Sequence, residues 1–125
     1  MKQTGIVRSF GGEDRTFDLS PIGAWRAVEA RCGVGLGRVF GRLWSSMAAG
    51  PDARANPIGF DFHGDDIREV LLQGLKGGGM EDAAATKLVR TTFDDEAGKG
   101  QFAPLALEIV SAWWFGLPEG KATAP

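Results

Sequence analysis

The sequence has a single cysteine, no surplus of basic residues and no long apolar run. Cys32 has no second cysteine to pair with, which is typical of a reducing compartment rather than of a small secreted scaffold. Fourteen basic and sixteen acidic residues give a net charge of −2, whereas nucleic-acid-binding proteins usually carry a basic surplus that contacts phosphates. The longest apolar stretch, around 109–117, is interrupted by Ser111 and is far shorter than the ~20 residues that cross a bilayer. We therefore expect a cytoplasmic protein that binds neither nucleic acid nor a membrane.

The length and composition are those of one small folded domain. The chain has 125 residues, of which 43% are hydrophobic and 24% charged, and domains most often contain roughly 100–150 residues. We predict a single α+β domain over residues 1–116. Residues 117–125 are mostly small or polar and are expected to form a disordered tail.

The N-terminal part predicts a β-hairpin that leads directly into a helix. Gly5–Phe10 and the stretch 15–19 contain β-branched and aromatic residues, and the turn chemistry of 11–14 lies between them. Ser20 followed by Pro21 is typical of a helix start, with Ser20 as the N-cap, and Gly33 is well placed to end that helix. An isolated hairpin is marginal in water, so we expect it to pack on helices.

Three or four further helices are predicted after Gly33, which makes four to five in all. The second helix has one continuous apolar stripe, and Arg38 and Arg42 lie off it, facing water. The stripe consists of Leu36, Val39, Phe40, Leu43, Trp44 and Met47. A third helix would be capped by Asp66 with Glu69 and would end at the glycines 77–79, and the remaining helices start near 81 and 102.

The segment 48–64 between the second and third helices predicts a long irregular loop. It contains several glycines and prolines, and loops of this length are usually functional or mobile. Phe60 and Phe62 are expected to fix its far end to the core. The same two side chains are candidates for contact with a partner protein.

One cluster in this loop has the residue types of a metal site. Asp61, His63 and Asp65 alternate along the chain, and Asp66 follows, so that they could present oxygen and nitrogen ligands to a divalent cation. The alternative is a helix entry, in which an aspartate caps the helix and His63 is a surface residue. Because no second histidine and no cysteine lies nearby, a metal-dependent enzyme is only a remote alternative.

No other motif predicts catalysis. The glycine runs that begin at Gly33 and Gly35 have the wrong residue in the last position of a dinucleotide fingerprint, and Gly74 with Gly79 is not followed by the lysine of a phosphate loop. No serine stands in a nucleophile turn, and His63 is the only histidine. We therefore expect a protein that is not an enzyme and that needs no cofactor.

Three consecutive aromatic residues, Trp113, Trp114 and Phe115, indicate a contact surface. Successive residues of a helix are turned by about 100°, so the three side chains cannot all face one core. Trp113 continues the apolar stripe of the last helix, which leaves Trp114 or Phe115 for another surface. Exposed aromatic residues are favoured anchors at protein interfaces, although the hairpin or the long loop could also cover them.

Glycines at positions 33, 37 and 41 form a smooth stripe with a spacing of four residues. Another backbone could approach such a face closely. In soluble proteins this is more often a helix of the same chain than a second subunit, and either arrangement remains open at this point.

The order of these elements resembles the gene-transfer-agent family of phage-like tail proteins. These are encoded in gene transfer agents and related prophages of α-proteobacteria and are called tail tube or tail assembly proteins. The resemblance covers about residues 5–116 and rests on three stretches, none of them catalytic: 15–29 (RTFDLSPIGAWRAVE), 66–79 (DIREVLLQGLKGGG) and the terminal helix 105–115.

The resemblance implies one of two roles in building a tail. A tail tube subunit stacks in hexameric rings whose wall is a β-barrel of long strands. A tail assembly chaperone, by contrast, is small and helical and coats the tape measure protein while the tube polymerises. Because the sequence predicts two short strands and about five helices, we expect a chaperone that binds the tape measure protein, with a structural tube subunit as the alternative. The implied partners are other tail proteins, and a homo-oligomer is compatible with either role.

Overall fold

The computed structural model describes residues 3–48 and 63–117. These residues form a two-stranded antiparallel sheet and five α-helices, which confirms the predicted α+β class. The elements are β1 (Ile6–Phe10), β2 (Glu13–Phe17), α1 (Ile22–Cys32), α2 (Leu36–Ala48), α3 (Gly64–Gly77), α4 (Asp82–Val89) and α5 (Ala103–Phe115). A short π-helix (Arg90–Asp94) and a 3₁₀-helix (Lys99–Phe102) connect α4 to α5.

The hairpin turns more tightly than the sequence predicted. Gly11 and Gly12 both have positive φ, at 65° and 87°, which is the backbone of the two-residue turns that match strand twist. The strands therefore pair from Phe10 with Glu13 back to Ile6 with Phe17. The predicted start of β2 at residue 15 is wrong because the turn needs two residues instead of four.

The hairpin packs on α3 through an unusually close approach of two backbones. The Asp18 amide donates a hydrogen bond to the Gly74 carbonyl oxygen at 2.9 Å. A Cβ at Gly77 would overlap the Asp18 carbonyl oxygen, and a Cβ at Gly78 would overlap that of Thr16. The glycines at the end of α3 therefore do more than end the helix, because they also admit β2 alongside it.

Helix α1 ends as predicted but starts differently. Gly33 adopts φ 74° and donates its amide to the Glu29 carbonyl oxygen, which stops the helix. The N-cap is Pro21, whose carbonyl oxygen accepts the Ala24 amide at 2.9 Å. The predicted Ser20 cap is wrong because the helix begins one residue later and no side chain caps it. The Ser20 amide instead donates a hydrogen bond to the Asp18 carboxylate at 2.9 Å, so that Asp18 orders this turn.

Helix α3 runs through the centre of the described fold and is buried on nearly every side. It begins at Gly64 with His63 as N-cap, and no side chain caps it. The predicted capping pair is wrong, since Asp66 and Glu69 lie inside the helix and are buried together with Gln73. Such buried polar groups need partners, and those of Asp66 help to position the site described below.

Helix α5 completes the core and brings the two ends of the described chain together. Its side chains at Ala106, Ile109 and Val110 are buried. Beyond it, the Leu117 amide donates to the Gln3 carbonyl oxygen at 2.9 Å, so Leu117 is paired rather than part of a free tail. Residues 118–125 of the predicted tail lie outside the described residues. Within the described part of the chain, no helix is long and apolar enough to span a membrane.

Candidate protein-contact site

The end of α5 presents its three aromatic residues in three different environments. Trp113 is half-buried and packs against the core, while Trp114 is 69% exposed and Phe115 is 60% exposed. The rotation of about 100° per residue explains this division. Trp114 and Phe115 therefore both lie on the surface.

These side chains border a groove between α2 and α5, which we call the aromatic groove. Its volume is about 330 Å³, and apolar side chains form nearly all of its walls. The lining residues are Glu29, Leu36, Gly37, Phe40, Val110, Trp113, Trp114 and Phe115. The groove is thus a concave apolar surface beside two exposed aromatic residues, the kind of surface on which proteins dock.

Ring contacts hold the aromatic walls of the groove in place. The Phe40 and Phe115 ring centroids are 6.3 Å apart at an interplanar angle of 68°. The Trp113 ring centroid lies 6.0 Å from that of Trp25 and 5.7 Å from that of Trp114. Edge-to-face and tilted arrangements at these separations are favourable for aromatic pairs. The exposed rings of Phe115 and Trp114 are therefore held in place by their contacts with Phe40 and Trp113.

The stripe of α2 next to the groove is smooth and continues to a third exposed aromatic residue. Gly37 and Gly41 are exposed, and a Cβ at either position would meet no neighbouring atom within 4 Å. Trp44 is 57% exposed and stands one helical turn beyond Phe40. Among the described residues there is thus room beside Gly37 and Gly41 for an approaching surface. The sequence prediction missed Trp44 because helical spacing placed it on the buried stripe.

Glu29 joins two of the helices that form the groove. Its Oε2 accepts a hydrogen bond from the Leu36 amide at 2.8 Å, so a side chain of α1 caps the first turn of α2. A negative charge is favourable at this positive helix end. This cap was not predicted from the sequence, since Glu29 and Leu36 are seven positions apart and form no local capping pattern.

An ion pair joins α2 to α3. Arg42 Nη2 donates to Asp66 Oδ1 at 3.0 Å and Arg42 Nε lies 2.8 Å from Asp66 Oδ2, with side chains only 11% and 3% exposed. The prediction that Arg42 faces water is wrong, because Asp66, 24 residues further along the chain, supplies a buried counter-charge. The pair therefore joins α2 to α3 by one charge-assisted hydrogen bond, from Nη2 to Oδ1, and by a close Nε–Oδ2 contact between opposite charges.

The same neighbourhood keeps the only cysteine protonated. The Cys32 Sγ lies 3.8 Å from the Asp65 carbonyl oxygen. Burial, and next to it the negative charge of Asp66, raise the pKa of the Cys32 thiol to about 12. Because the thiolate is the reactive form, this thiol is expected to react slowly, and its side chain packs against the core.

The cluster considered as a metal site is not assembled among the described residues. His63 is exposed and its Nε2 lies 3.2 Å from Arg42 Nη1, Asp65 is exposed, and Asp66 pairs with Arg42. Asp61 lies outside the described residues, as do the contact candidates Phe60 and Phe62. In 3–48 and 63–117, no group of three or more histidine, cysteine, aspartate or glutamate side chains could hold a metal ion.

Comparison with known proteins supplies the context for this groove. A model of one protein family, described as "Phage tail tube protein, GTA-gp10", matches residues 5–116. The chain belongs to this family. The match confirms the resemblance drawn from the hairpin, the glycine-ended helix and the terminal helix, and it gives the chain a role in a phage-like tail. No curated protein and no solved structure matches the chain.

Proposed function

We propose that this chain is a structural subunit of a phage-like tail tube and that it contacts other tail proteins through the aromatic groove. The observation that carries the proposal is the family match over 5–116, whose description names a tail tube protein. The sequence alone had predicted an assembly chaperone, with the tube subunit as the alternative. The family description favours the tube subunit over the chaperone.

The groove is the part of the described surface best suited to joining tail proteins. Its exposed anchors, Trp114 and Phe115, are aromatic residues, which dominate the energetics of protein interfaces. Their rings are supported by Trp113 and Phe40, so little conformational freedom would be lost on binding. A pre-organised apolar surface suits a protein that must assemble in a fixed orientation.

The tail assembly chaperone is a second candidate, favoured by one observation. The described residues contain a sheet of only two strands of five residues each, and their other regular elements are helical. A tube wall built as a β-barrel would need more and longer strands. A chaperone could instead use the aromatic groove to bind a helical segment of the tape measure protein.

Electron microscopy separates the two roles. If the chain is a tube subunit, the purified protein should form tubes or rings of uniform bore, and an antibody against it should label finished tails along their length. If it is a chaperone, it should co-purify with the tape measure protein from producing cells and be absent from finished tails. The absence of the protein from finished tails would overturn our proposal.

A further inference from the structure

A second concave surface lies around α4, a helix that does not line the aromatic groove. Its volume is about 270 Å³, and we call it the receiving pocket. We propose that the receiving pocket of one copy of this chain takes the Trp114 side chain of the next copy, in a head-to-tail contact. The inference rests on the proposed function, because it names the partner of the aromatic groove. The residues that line the receiving pocket are Arg15, Met80, Ala84, Lys87, Leu88 and Thr91.

The receiving pocket has the size and the floor that an indole ring needs. An apolar cavity of about 150 Å³ already admits benzene, so a volume of about 270 Å³ leaves room for one tryptophan side chain. Met80 and Leu88 are its large apolar side chains, and both pack against the core. The hairpin approaches Leu88 so closely that a Cβ at Gly11 would lie 2.8 Å from the Leu88 Cδ1. The floor of the pocket is therefore held in place before a partner arrives.

The rim of the receiving pocket is basic, which favours an aromatic ring. The Arg15 guanidinium is held beside the pocket, because its Nε donates to the Phe10 carbonyl oxygen at 3.3 Å and its Nη2 lies 3.1 Å from Glu13 Oε2. Lys87 is exposed and makes no ion pair within the described residues. A cation is attracted to the face of a tryptophan ring, and a planar guanidinium also stacks on it. Trp114, which is 69% exposed, supplies such a ring.

The charges of the two surfaces are opposite, which favours contact between unlike surfaces. Glu29 is the one charged residue among those that line the aromatic groove, since the exposed Arg26 and Arg38 do not line it. Two grooves face to face would bring two Glu29 carboxylates together, and two receiving pockets would bring two Lys87 amines together. A groove that faces a receiving pocket instead pairs the two signs, and such complementarity sets the register of an interface.

A contact between unlike surfaces can repeat from copy to copy. The aromatic groove and the receiving pocket have no lining residue in common, so one chain can use both surfaces at once. Contacts of this kind close into rings or continue as helical filaments, whereas a two-fold pair ends at two copies. The head-to-tail contact is therefore the arrangement that a tube subunit requires.

Mixing two variants of the purified full chain tests the inference. Trp114→Ala lacks the protruding ring and keeps the receiving pocket. A pocket variant, Ala84→Glu with Lys87→Glu, fills the pocket and reverses its charge but keeps the ring. All three positions are exposed, so circular dichroism should show folded variants.

Sedimentation velocity should give a different result for each sample. The wild type should form species larger than twice 13.3 kDa as its concentration rises. Each variant alone should associate on the order of 30-fold more weakly, the effect of removing an interface anchor. An equimolar mixture of the two variants should form a pair of twice 13.3 kDa and nothing larger, because the mixed pair contains one intact contact.

Ala83→Glu with Arg90→Glu is the matched control. Both residues are exposed and close to Ala84 and Lys87 in sequence, but neither lines the receiving pocket. The charge changes as much as in the pocket variant, so the control should associate like the wild type. A wild type that stays at 13.3 kDa or stops at twice this mass, an equal loss in the control, or a mixture that forms no pair would each overturn the inference.

The composition of finished tails separates this inference from the proposed function. If Trp114→Ala and the pocket variant still entered finished tails as the wild type does, only the head-to-tail contact would be overturned. If the two variants formed the mixed pair but the wild type were absent from finished tails, only the proposed function would be overturned.

Discussion

At the scale of single residues, the pair of Arg42 and Asp66 makes the sharpest prediction about stability. Arg42→Met would leave a buried carboxylate without its counter-charge. Removing one partner of a buried ion pair typically costs about 3–5 kcal/mol, and replacing both partners by apolar residues is often neutral. We therefore expect Arg42→Met to lower the free energy of unfolding in urea by about 3 kcal/mol, and Arg42→Met with Asp66→Leu to recover most of this loss.

Arg38→Met is the control for that measurement. Arg38 is one turn earlier on α2 and is exposed, so its replacement should change the free energy of unfolding by less than about 0.5 kcal/mol. If Arg42→Met and Arg38→Met had equal effects, the Arg42–Asp66 pair would contribute nothing specific to joining α2 and α3.

The Cys32 thiol predicts a dependence of stability on pH. Its pKa is about 12 in the folded chain against an ordinary value of 9.0. Below pH 9.0 the thiol is protonated in both states, so the full stability is present. Above this pH the unfolded chain loses the proton while the folded chain keeps it, and stability falls as the pH rises toward 12.

Urea unfolding at a series of alkaline pH values would measure this effect. Cys32→Ser has no thiol to ionise, so its stability should fall less steeply above pH 9.0 than that of the wild type. The native thiol should also react slowly with a disulfide reagent at pH 8, and should react at an ordinary rate once urea unfolds the chain. Fast reaction of the folded protein would contradict the protonated thiol.

At the scale of elements, β2 packs so closely on α3 that one added methyl group should lower the free energy of unfolding strongly. Gly77→Ala would place a Cβ against the Asp18 carbonyl oxygen, a backbone atom that cannot move aside like a flexible side chain. We expect a loss of about 2–3 kcal/mol in the free energy of unfolding, the upper part of the range for overpacking.

Gly23→Ala provides the opposite case on α1. A Cβ at Gly23 would meet no atom within 4 Å, and alanine is the better helix former by about 1 kcal/mol. This variant should therefore be as stable as the wild type or slightly more stable. Equal losses of stability for Gly77→Ala and Gly23→Ala would contradict the prediction, because they would show that the contact with β2 is not what makes Gly77→Ala destabilising.

The Glu29 side chain, which caps the start of α2, gives a second prediction about the stability of the elements. Glu29→Ala removes the acceptor of the Leu36 amide and should cost about 1 kcal/mol, the usual effect of losing an N-terminal cap. Glu29→Gln keeps an oxygen acceptor but not the charge, so it should lose only part of this. Thermal unfolding of the two variants would show the order, and an identical loss would mean that the charge alone matters.

The elements were predictable from the sequence where local signals decide them, and their contacts were not. Helical spacing predicted α2 and α5, and the rotation between Trp113 and Trp114 predicted that an aromatic residue would leave the core. The partners of Arg42 and Glu29 lie 24 and 7 residues away, beyond the reach of helix periodicity or local capping patterns. The aromatic groove itself needs α2 and α5 side by side, which no single segment encodes.

At the scale of the whole molecule, folding and association should be separable. Trp114 is mostly exposed, so it contributes to association with a partner more than to the fold of the chain. Trp113 packs against Trp25 and the core, so it contributes to the fold. Replacing Trp114 should therefore weaken association and leave the fold unchanged, whereas replacing Trp113 should destabilise the fold, although both are tryptophans on the same helix.

The concentration dependence of the melting temperature distinguishes these patterns. Association of folded chains stabilises them by mass action, so the melting temperature of the wild type should rise with protein concentration. Trp114→Ala should match the wild type at low concentration and should not rise. Trp113→Ala should melt lower at every concentration, with a loss of about 2–3 kcal/mol for a partly buried aromatic residue. If Trp114→Ala also melted lower in dilute solution, its ring would belong to the fold, and the aromatic groove would lose its main anchor for a partner.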